Sequence, residues 1–157
     1  MQSTLIIREA SSGDDALIAT HFYRMWQDND IPSEHICPNW LEISLEFIDR
    51  ARREQHHKAF VAEVNDQIVG STSCQLFAGL YPQILTAQSR QYGYIWGVYV
   101  EPSHRRQGIA KRLTQAAIAH LKTLGCTRAI LHASPLGKPV YDSLGFSSSN
   151  EMRLDLV

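Results

Sequence analysis

The chain has 157 residues, of which 44% are hydrophobic, and its formal net charge is −1 with neutral histidines. This length favours a single domain over residues 1–157, and the apolar share is enough for one sizeable core and too high for a disordered chain. The near-zero charge argues against a general nucleic-acid or anionic-membrane surface, because such a surface needs a basic excess.

The first half of the chain contains both helical and β-type patterns. Apolar residues at near-helical spacing predict helices, and β-branched runs predict strands. The expected order is strand, helix, helix, strand, strand, over residues 4–8, 16–26, 39–53, 58–64 and 67–75. The turn formers Asn65-Asp66 separate the last two runs and predict a hairpin. Residues 76–91 carry no clear pattern and are predicted to form a long loop.

The second half of the chain begins with its strongest strand pattern. The expected order is strand, helix, strand, short helix and two strands, over residues 92–100, 108–124, 127–133, 138–144 and 146–157. Gly125 is well placed to end the long helix. The complete order predicts a mixed α/β domain with no internal linker.

Cysteine use and the apolar runs favour a cytoplasmic protein. Cys37, Cys74 and Cys126 are odd in number and widely spaced, so we expect no disulfide framework and a reducing compartment. The longest apolar run, residues 94–100, is far shorter than the roughly 20 residues of a membrane helix. Residues 1–9 lack the pattern of a secretory signal. No spacing of metal ligands is present, so no metal is expected.

Residues 98–111 carry the clearest functional pattern, which runs strand, short turn, basic pair, glycine and helix. A helix N-terminus has unpaired N–H groups and a partial positive charge, and both favour a phosphate. Gly108 lets the backbone approach such an anion closely, and Arg105, Arg106 and Lys111 add positive charge. The alternative is an ordinary strand-to-helix turn with a solvated basic face. Neither a Walker loop nor a dinucleotide fingerprint is present.

Two blocks of the sequence resemble the GNAT superfamily of acyl-CoA-dependent N-acyltransferases. The run Arg105-Arg106-Gln107-Gly108-Ile109-Ala110 is similar to that family's [RQ]-x-x-G-x-[GA] signature, and it follows a strand that ends in Val-Tyr-Val. Further on, Leu131-His132-Ala133-Ser134 and the run from Val140 to Phe146 resemble the family's later segment, which often ends in Tyr-x-x-Leu-Gly-Phe. The resemblance implies a mostly antiparallel central sheet with helices on both faces.

The resemblance also implies acetyl-CoA as cosubstrate and indicates where it binds. Its pyrophosphate is expected on the backbone amides of the loop and helix start, its pantetheine arm along the preceding strand, and a strand bulge is expected to free an amide for the thioester carbonyl. The implied contacts are Val98, Tyr99, Val100, Arg105, Arg106, Gln107, Gly108, Ile109, Ala110, Lys111 and Ser134. For Ser134, a turn or helix-capping role is the alternative.

Two proton transfers accompany the direct attack of an amine on the thioester. The resemblance implies Tyr141 as the general acid for the departing thiolate; otherwise it is a core or surface aromatic. Many relatives have a carboxylate on the strand before the motif, where this chain has Tyr94-Ile95-Trp96-Gly97. Glu101 is therefore the candidate base, with Asp142, a water chain or an amine that arrives deprotonated as alternatives.

Three functions are consistent with the sequence. The first is an acetyl-CoA-dependent N-acetyltransferase for a small amine or peptide acceptor, with a possible homodimer. The second is a GNAT-fold acyl-CoA binder or sensor without catalysis, which the missing strand carboxylate allows. The third, a nucleic-acid module at Arg105 and Arg106, is disfavoured by the overall charge. The acceptor would be recognised by the parts that vary most in such folds, residues 27–38 and 76–91, but we favour the alternative that the residues there serve loop solubility and anchor the core.

Overall fold

The computed structural model describes residues 3–157, so Met1 and Gln2, which belong to the predicted domain and to the segment tested for a signal, lie outside the described residues. Each helix and strand is numbered separately in chain order. The elements are β1 (Leu5–Glu9), α1 (Asp15–Asp28), α2 (Trp40–Glu54), β2 (Lys58–Val64), β3 (Gln67–Leu76), β4 (Tyr92–Val100), α3 (Ile109–Thr123), β5 (Arg128–Ile130) and α4 (Lys138–Ser143). Short 3-10 turns precede α1, α2 and α3.

The five strands form one sheet in the order β1-β2-β3-β4-β5. All neighbours are antiparallel except β4 and β5, which run parallel because α3 crosses between them. Asn65 and Asp66 join β2 to β3 with φ angles of 51° and 60°. Two consecutive residues with positive φ are what a tight hairpin turn of type I′ requires, so the predicted hairpin is confirmed.

Helices cover both faces of the sheet, as the sequence predicts. On one face, Ile18 of α1 and Ile48 of α2 pack against Val61 of β2. On the other face, Leu113 of α3 packs against Ala62, the next residue of β2. Successive residues of β2 therefore enter opposite cores, as the two-residue period of a strand requires. Every helix in residues 3–157 is too short or too polar to cross a bilayer.

The C-terminal part of the chain differs from the prediction. Residues 146–157 form no strand, so the two strands predicted there are wrong for this structure. The alternating pattern is real, but no neighbouring strand satisfies its backbone, and Met152, Leu154 and Leu156 are more than 80% exposed. The strand β5 is also shorter than the predicted 127–133, because its pairing with β4 stops at Ile130.

Candidate active site

The sheet opens along the C-terminal half of β4. Across β3, Ser71 pairs with Tyr99 and Ser73 with Trp96, so Thr72 faces two residues, Gly97 and Val98. This is a β-bulge, and Gly97 sits in it at φ 66°. On the other side of β4, the last rung joins Tyr94 to Ile130 of β5. From residue 95 onward, β4 is paired with β3 alone and has a free edge.

The turn after β4 is shaped by two left-handed residues. Arg106 has φ 62° and Gly108 has φ 78°. The first bond of α3 runs from the Arg112 N–H to the Gly108 carbonyl at 3.1 Å, so the N–H groups of residues 109–111 lack helical partners. A Cβ added to Gly108 would meet no atom within 4 Å. The backbone therefore presents three donors beside open space, as an anion site requires.

The side chains of the same motif have several roles. The Arg105 guanidinium donates to the Val100 carbonyl at 2.8 Å and to Asp28 at 2.6 Å, and it lies over the Tyr99 ring at 5.3 Å. Arg105 thus joins the turn to the end of α1. Ile109 is buried in the core, whereas Gln107 and Lys111 are exposed and Ala110 is half-buried.

Glu101 lies just beyond the end of β4, against α1. Its Oε1 accepts a hydrogen bond from Arg24 Nη1 at 2.6 Å and is 3.3 Å from His21 Nε2, without hydrogen-bond geometry. His21 is fully buried, and its Nδ1 lies 2.7 Å from Ser71 Oγ. Burial lowers the pKa of His21, against the opposing effect of Glu101. The carboxylate therefore belongs to a packed polar cluster.

Tyr141 is held by the segment that follows β5. It is 9% exposed, and its ring meets that of Phe146 edge-on at 5.9 Å. Burial raises the pKa of Tyr141 to about 12, so the phenol stays protonated at neutral pH. Ser134 Oγ accepts the N–H of Gly137 at 3.2 Å, which matches the capping role considered for this serine. A Cβ on Gly137 would lie 3.1 Å from the Tyr141 ring, so the two pack closely.

A cleft of about 310 Å³ lies beside the closed end of the β4–β5 pair. It is lined by Phe47, Arg50, Glu54, Gln55, Gln75, Leu76, Phe77, Ala78 and Tyr94. The loop after β3, which belongs to the segment 76–91 named as a candidate acceptor contact, thus contributes Phe77 and Ala78 to the lining. The predicted second loop, residues 27–38, does not line the cleft. The C-terminal turns of α2 provide the opposite wall, a role that no motif in the sequence indicates.

One wall of this cleft has a fixed hydrogen-bond direction. The Trp96 indole N–H, which can only donate, bonds to Gln75 Oε1 at 3.0 Å. Gln75 must then donate through Nε2, and it does so to Gln55 Oε1 at 2.8 Å. The Gln55 oxygen is therefore occupied as an acceptor, and its NH₂ group is the donor that this series of hydrogen bonds presents at its end. Trp96 thus sets the direction of the hydrogen bonds along this wall.

Sequence reasoning missed a polar chain at the same place. The Tyr94 hydroxyl lies 2.9 Å from His132 Nδ1, and His132 Nε2 lies 3.0 Å from Glu151 Oε2. These residues come from three separate segments, so no motif links them. They meet because β5 pairs only with the first residues of β4 and ends two residues before His132, which the predicted strand over 127–133 did not indicate.

The remaining reactive side chains have structural positions. His57 is 4% exposed near Trp96, and burial lowers its pKa to about 4. Cys74 is fully buried, and burial raises the pKa of its thiol to about 12, so it is a small core residue. No three His, Cys, Asp or Glu side chains come together as a metal site in the part of the chain that the structure describes.

Similarity to known proteins agrees with this arrangement. Residues 19–146 match the Acetyltransferase (GNAT) family. The chain is 35% identical over 100 residues to glucosamine 6-phosphate N-acetyltransferase from Trypanosoma brucei brucei, which is 63% of this chain and 65% of the relative. It is 23% identical over 131 residues to aminoglycoside N(6')-acetyltransferase type 1 from Acinetobacter haemolyticus, over 76% of this chain and 90% of the relative.

A solved structure extends the similarity to almost the whole chain. The predicted acetyltransferase with acetyl-CoA from Clostridium acetobutylicum superimposes with a TM-score of 0.80 at 26% identity, covering 98% of this chain and 97% of that one. The chain therefore belongs to the GNAT acetyltransferase family. This confirms the predicted family and fold, and with them acetyl-CoA as cosubstrate and N-acetyl transfer as the class of activity.

Proposed function

We propose that this protein transfers the acetyl group of acetyl-CoA to a small amine bound in the cleft. The observation that carries the proposal is the position of Tyr94. It forms the last rung between β4 and β5 and it also lines the cleft. A cosubstrate that runs along the free edge of β4 therefore ends beside the cleft, so the thioester and the amine would meet there. The chemistry then depends mainly on positioning.

Acetyl-CoA would be held chiefly by the backbone. The pyrophosphate would lie on the N–H groups at residues 109–111, next to Arg106, Gln107 and Gly108. The pantetheine would pair with the free edge at Val98, Tyr99 and Val100. The bulge supports this course, because its extra residue opposite Thr72 leaves an amide of β4 outside the ladder and available for the thioester oxygen. Arg105 would act by holding the turn, and Ser134 by capping the segment that carries Tyr141.

Tyr141 is the proposed general acid. The thiolate leaves with an electron pair and takes the phenolic proton, and solvent then restores the phenol. Burial supports this role because it keeps the hydroxyl protonated. Glu101 is the base predicted from the sequence, but Arg24 and His21 face one of its oxygens. It also lies seven residues along β4 from Tyr94, roughly 20 Å in an extended strand. We therefore propose that Glu101 positions the end of β4 against α1.

The acceptor is proposed to be a small polar amine of amino-sugar size. The cleft volume of about 310 Å³ is at the small end of ligand sites. Aromatic walls at Phe47, Phe77 and Tyr94 suit the flat face of a sugar ring. Donors at Arg50 and Gln55 suit its oxygens, and Glu54 suits its ammonium group. The two relatives compared above are named for amino-sugar substrates, which supports the same class.

The test is release of free CoA from acetyl-CoA with a panel of amines. The panel contains glucosamine 6-phosphate, an aminoglycoside, simple alkylamines, amino acids and a lysine peptide. We expect turnover with amino sugars above that with the peptide. Acetyl-CoA binding without CoA release from any amine would contradict the proposal and favour the binder or sensor.

We further propose that residues 1–157 act as one domain that forms homodimers in the cytoplasm. Met152, Leu154 and Leu156 alternate with charged residues as a strand does, yet they are exposed. The edge strand β5 offers a place for such a strand from a second copy. The three cysteines are free, as a reducing compartment requires. Sedimentation of the intact chain and of Leu154→Asp checks the dimer, which the charge should weaken.

A further inference from the structure

The polar side chains linked to Tyr94 could remove the proton of the amine, a step to which the proposed function assigns no residue. An alkylamine has a pKa near that of lysine, about 10.4, so it arrives protonated at neutral pH. It must lose a proton before its nitrogen can attack. The strand β4 contains no carboxylate, and Glu101, just beyond it, is paired with Arg24. Two candidate acceptors line the cleft, Glu54 and Tyr94, and Tyr94 is the one that is hydrogen-bonded to further titratable groups.

The partners of His132 fix which atoms carry protons. The Glu151 carboxylate can only accept, so His132 Nε2, at 3.0 Å, carries hydrogen. A neutral imidazole then has a lone pair on Nδ1, and Tyr94, at 2.9 Å, donates its hydroxyl proton to it. The lone pairs of the Tyr94 oxygen remain able to accept. Glu151 is itself fixed, because Arg153 Nε donates to its other oxygen at 2.9 Å.

The hydrogen-bonded side chains of Tyr94, His132 and Glu151 extend from the cleft to solvent. Tyr94 is half-buried and lines the cleft, and its ring packs against Phe77 at 6.0 Å and meets His132 edge-on at 5.8 Å. The side chains of His132 and Glu151 are 55% and 49% exposed. A proton taken up at Tyr94 therefore has a short path to water.

We propose that Tyr94 is the catalytic group that accepts the proton of the amine, and that His132 and Glu151 relay it to solvent. The inference rests on the proposed function. As the N–H bond breaks, its electron pair stays on nitrogen and the proton goes to the Tyr94 oxygen. The original phenolic proton passes to His132 Nδ1. Tyr94 ends as a neutral phenol, His132 becomes an imidazolium beside the Glu151 carboxylate, and water then removes its proton.

The charges around Tyr94 are consistent with a relay through a neutral phenol. Burial, with a smaller contribution from Glu151, raises the pKa of Tyr94, so tyrosinate is disfavoured. The hydrogen bond from His132 lowers the pKa of Glu151, so the carboxylate stays charged. Across the cleft, α2 presents Arg50 and Glu54, one of each sign. A phenol that gives up one proton while it gains another needs no stable anion.

The first test measures turnover of Tyr94→Phe and His132→Gln with the best alkylamine of the panel. We expect kcat/KM for the amine to fall about 10- to 100-fold at pH 7, as for loss of general base catalysis. The deficit should shrink as the pH approaches 10, because the amine then arrives deprotonated. Acetyl-CoA affinity should stay within twofold, which also shows that the variants fold.

A matched control and a spectroscopic measurement complete the test. Tyr92→Phe, on the same strand two residues earlier and outside the cleft, should keep wild-type kcat/KM. Nitrogen-15 spectra should show His132 as the Nε2–H tautomer. Three results would overturn the relay but not the proposed function, provided that the wild type turns over an amine. They are a Tyr94→Phe variant with the kcat/KM of the wild type, a deficit that stays constant with pH, and His132 in the Nδ1–H tautomer. Absence of turnover with every amine would overturn the proposed function and the relay with it.

Discussion

The two ends of the β4–β5 opening are built in different ways. At the α3 end, the proposed anion site consists of backbone N–H groups placed by two left-handed residues, Arg106 and Gly108. At the cleft end, the site consists of side chains brought together from α2, β3, β4 and two later segments. The comparison teaches that a binding site for a constant ligand can be encoded locally, whereas a site for a specific acceptor depends on contacts between distant segments.

The largest expected effect separates chemistry from cosubstrate binding. Tyr141→Phe removes the proposed acid but leaves the backbone site unchanged, so kcat should fall about 100-fold while the dissociation constant of acetyl-CoA changes less than threefold. Stopped assays of CoA release and calorimetry measure the two quantities. The control is Tyr81→Phe, which should keep the wild-type kcat because Tyr81 is 62% exposed and lies outside the cleft lining.

The pH dependence of the same variant sharpens the assignment. Because burial raises the pKa of Tyr141 to about 12, its deprotonation should produce no fall in kcat below about pH 11. A basic limb near pH 9 that disappears in Tyr141→Phe would contradict the proposed environment of this phenol.

The next effect concerns stability on the cleft side of the sheet. The pKa of His57 is lowered to about 4, so the unfolded chain binds its proton first as the pH falls below about 6.5. The contribution of neutral His57 to the free energy of unfolding is fully present above pH 6.5 and is lost progressively as the pH falls towards 4. Between pH 7 and pH 5 the free energy of unfolding should drop by about 2 kcal/mol from this group.

Urea denaturation at both pH values checks this expectation. The variant His57→Phe should lose about 2 kcal/mol less than the wild type over the same interval, since it has no proton to bind. The exposed His35→Gln should behave as the wild type. An equal loss in all three proteins would show that His57 takes up no proton on unfolding.

A smaller effect tests the backbone site directly. At φ 78°, alanine in place of Gly108 costs about 1–2 kcal/mol of strain, and its Cβ would enter the open space proposed for the pyrophosphate. We expect acetyl-CoA to bind about tenfold more weakly to Gly108→Ala, with a smaller change in kcat. Calorimetric titration with acetyl-CoA measures it.

The chain offers a closely matched control at the other end of α3. Gly125 has the same φ of 78° and also has nothing within 4 Å of an added Cβ. Gly125→Ala should therefore lower the melting temperature by a similar amount while acetyl-CoA affinity stays unchanged. Equal affinities in the two variants would argue against an anion site at Gly108.

The smallest expected effect is at Glu101. Glu101→Gln keeps a hydrogen-bond acceptor for Arg24, so kcat should stay within threefold of the wild type and the pH profile should keep its shape. A large loss of kcat together with loss of the acidic limb would instead identify Glu101 as the base. The measurement is the same CoA-release assay from pH 6 to pH 9.

Much of the fold is predictable because its signals are local. The limits of β4 at 92–100, the hairpin at Asn65-Asp66 and the start of α3 after Gly108 all follow from runs of adjacent residues. The pair of predicted strands in residues 146–157 shows the limit of such signals. A period of two describes a chain that can be a strand, but a strand forms only where another strand bonds to it.

The candidate site divides in the same way. The motif at residues 105–111 could be located from the sequence because it consists of adjacent residues, whose backbone conformation builds the turn without help from distant segments. The cluster of Glu101 with Arg24 joins residues 77 apart, and the pair of His21 with Ser71 joins residues 50 apart. No periodicity records such contacts. The position of Glu101 in the sequence therefore suggested a free carboxylate, whereas in the fold Arg24 and His21 lie against it.

The bulge at Gly97 adds one residue to β4 without exchanging the two faces of the strand. Before it, Trp96 points to the α1 side, where it meets Phe22 at 5.2 Å. After it, odd-numbered Tyr99 points the same way and meets His21 at 4.9 Å, while Val100 joins the α3 core. Deleting Gly97 would place Val98 alone opposite Thr72 and would leave Tyr99 and Val100 on the faces they occupy now. The deletion would therefore remove the bulge while it preserves the packing on both sides of the sheet, so it separates the role of the bulge from that of the core.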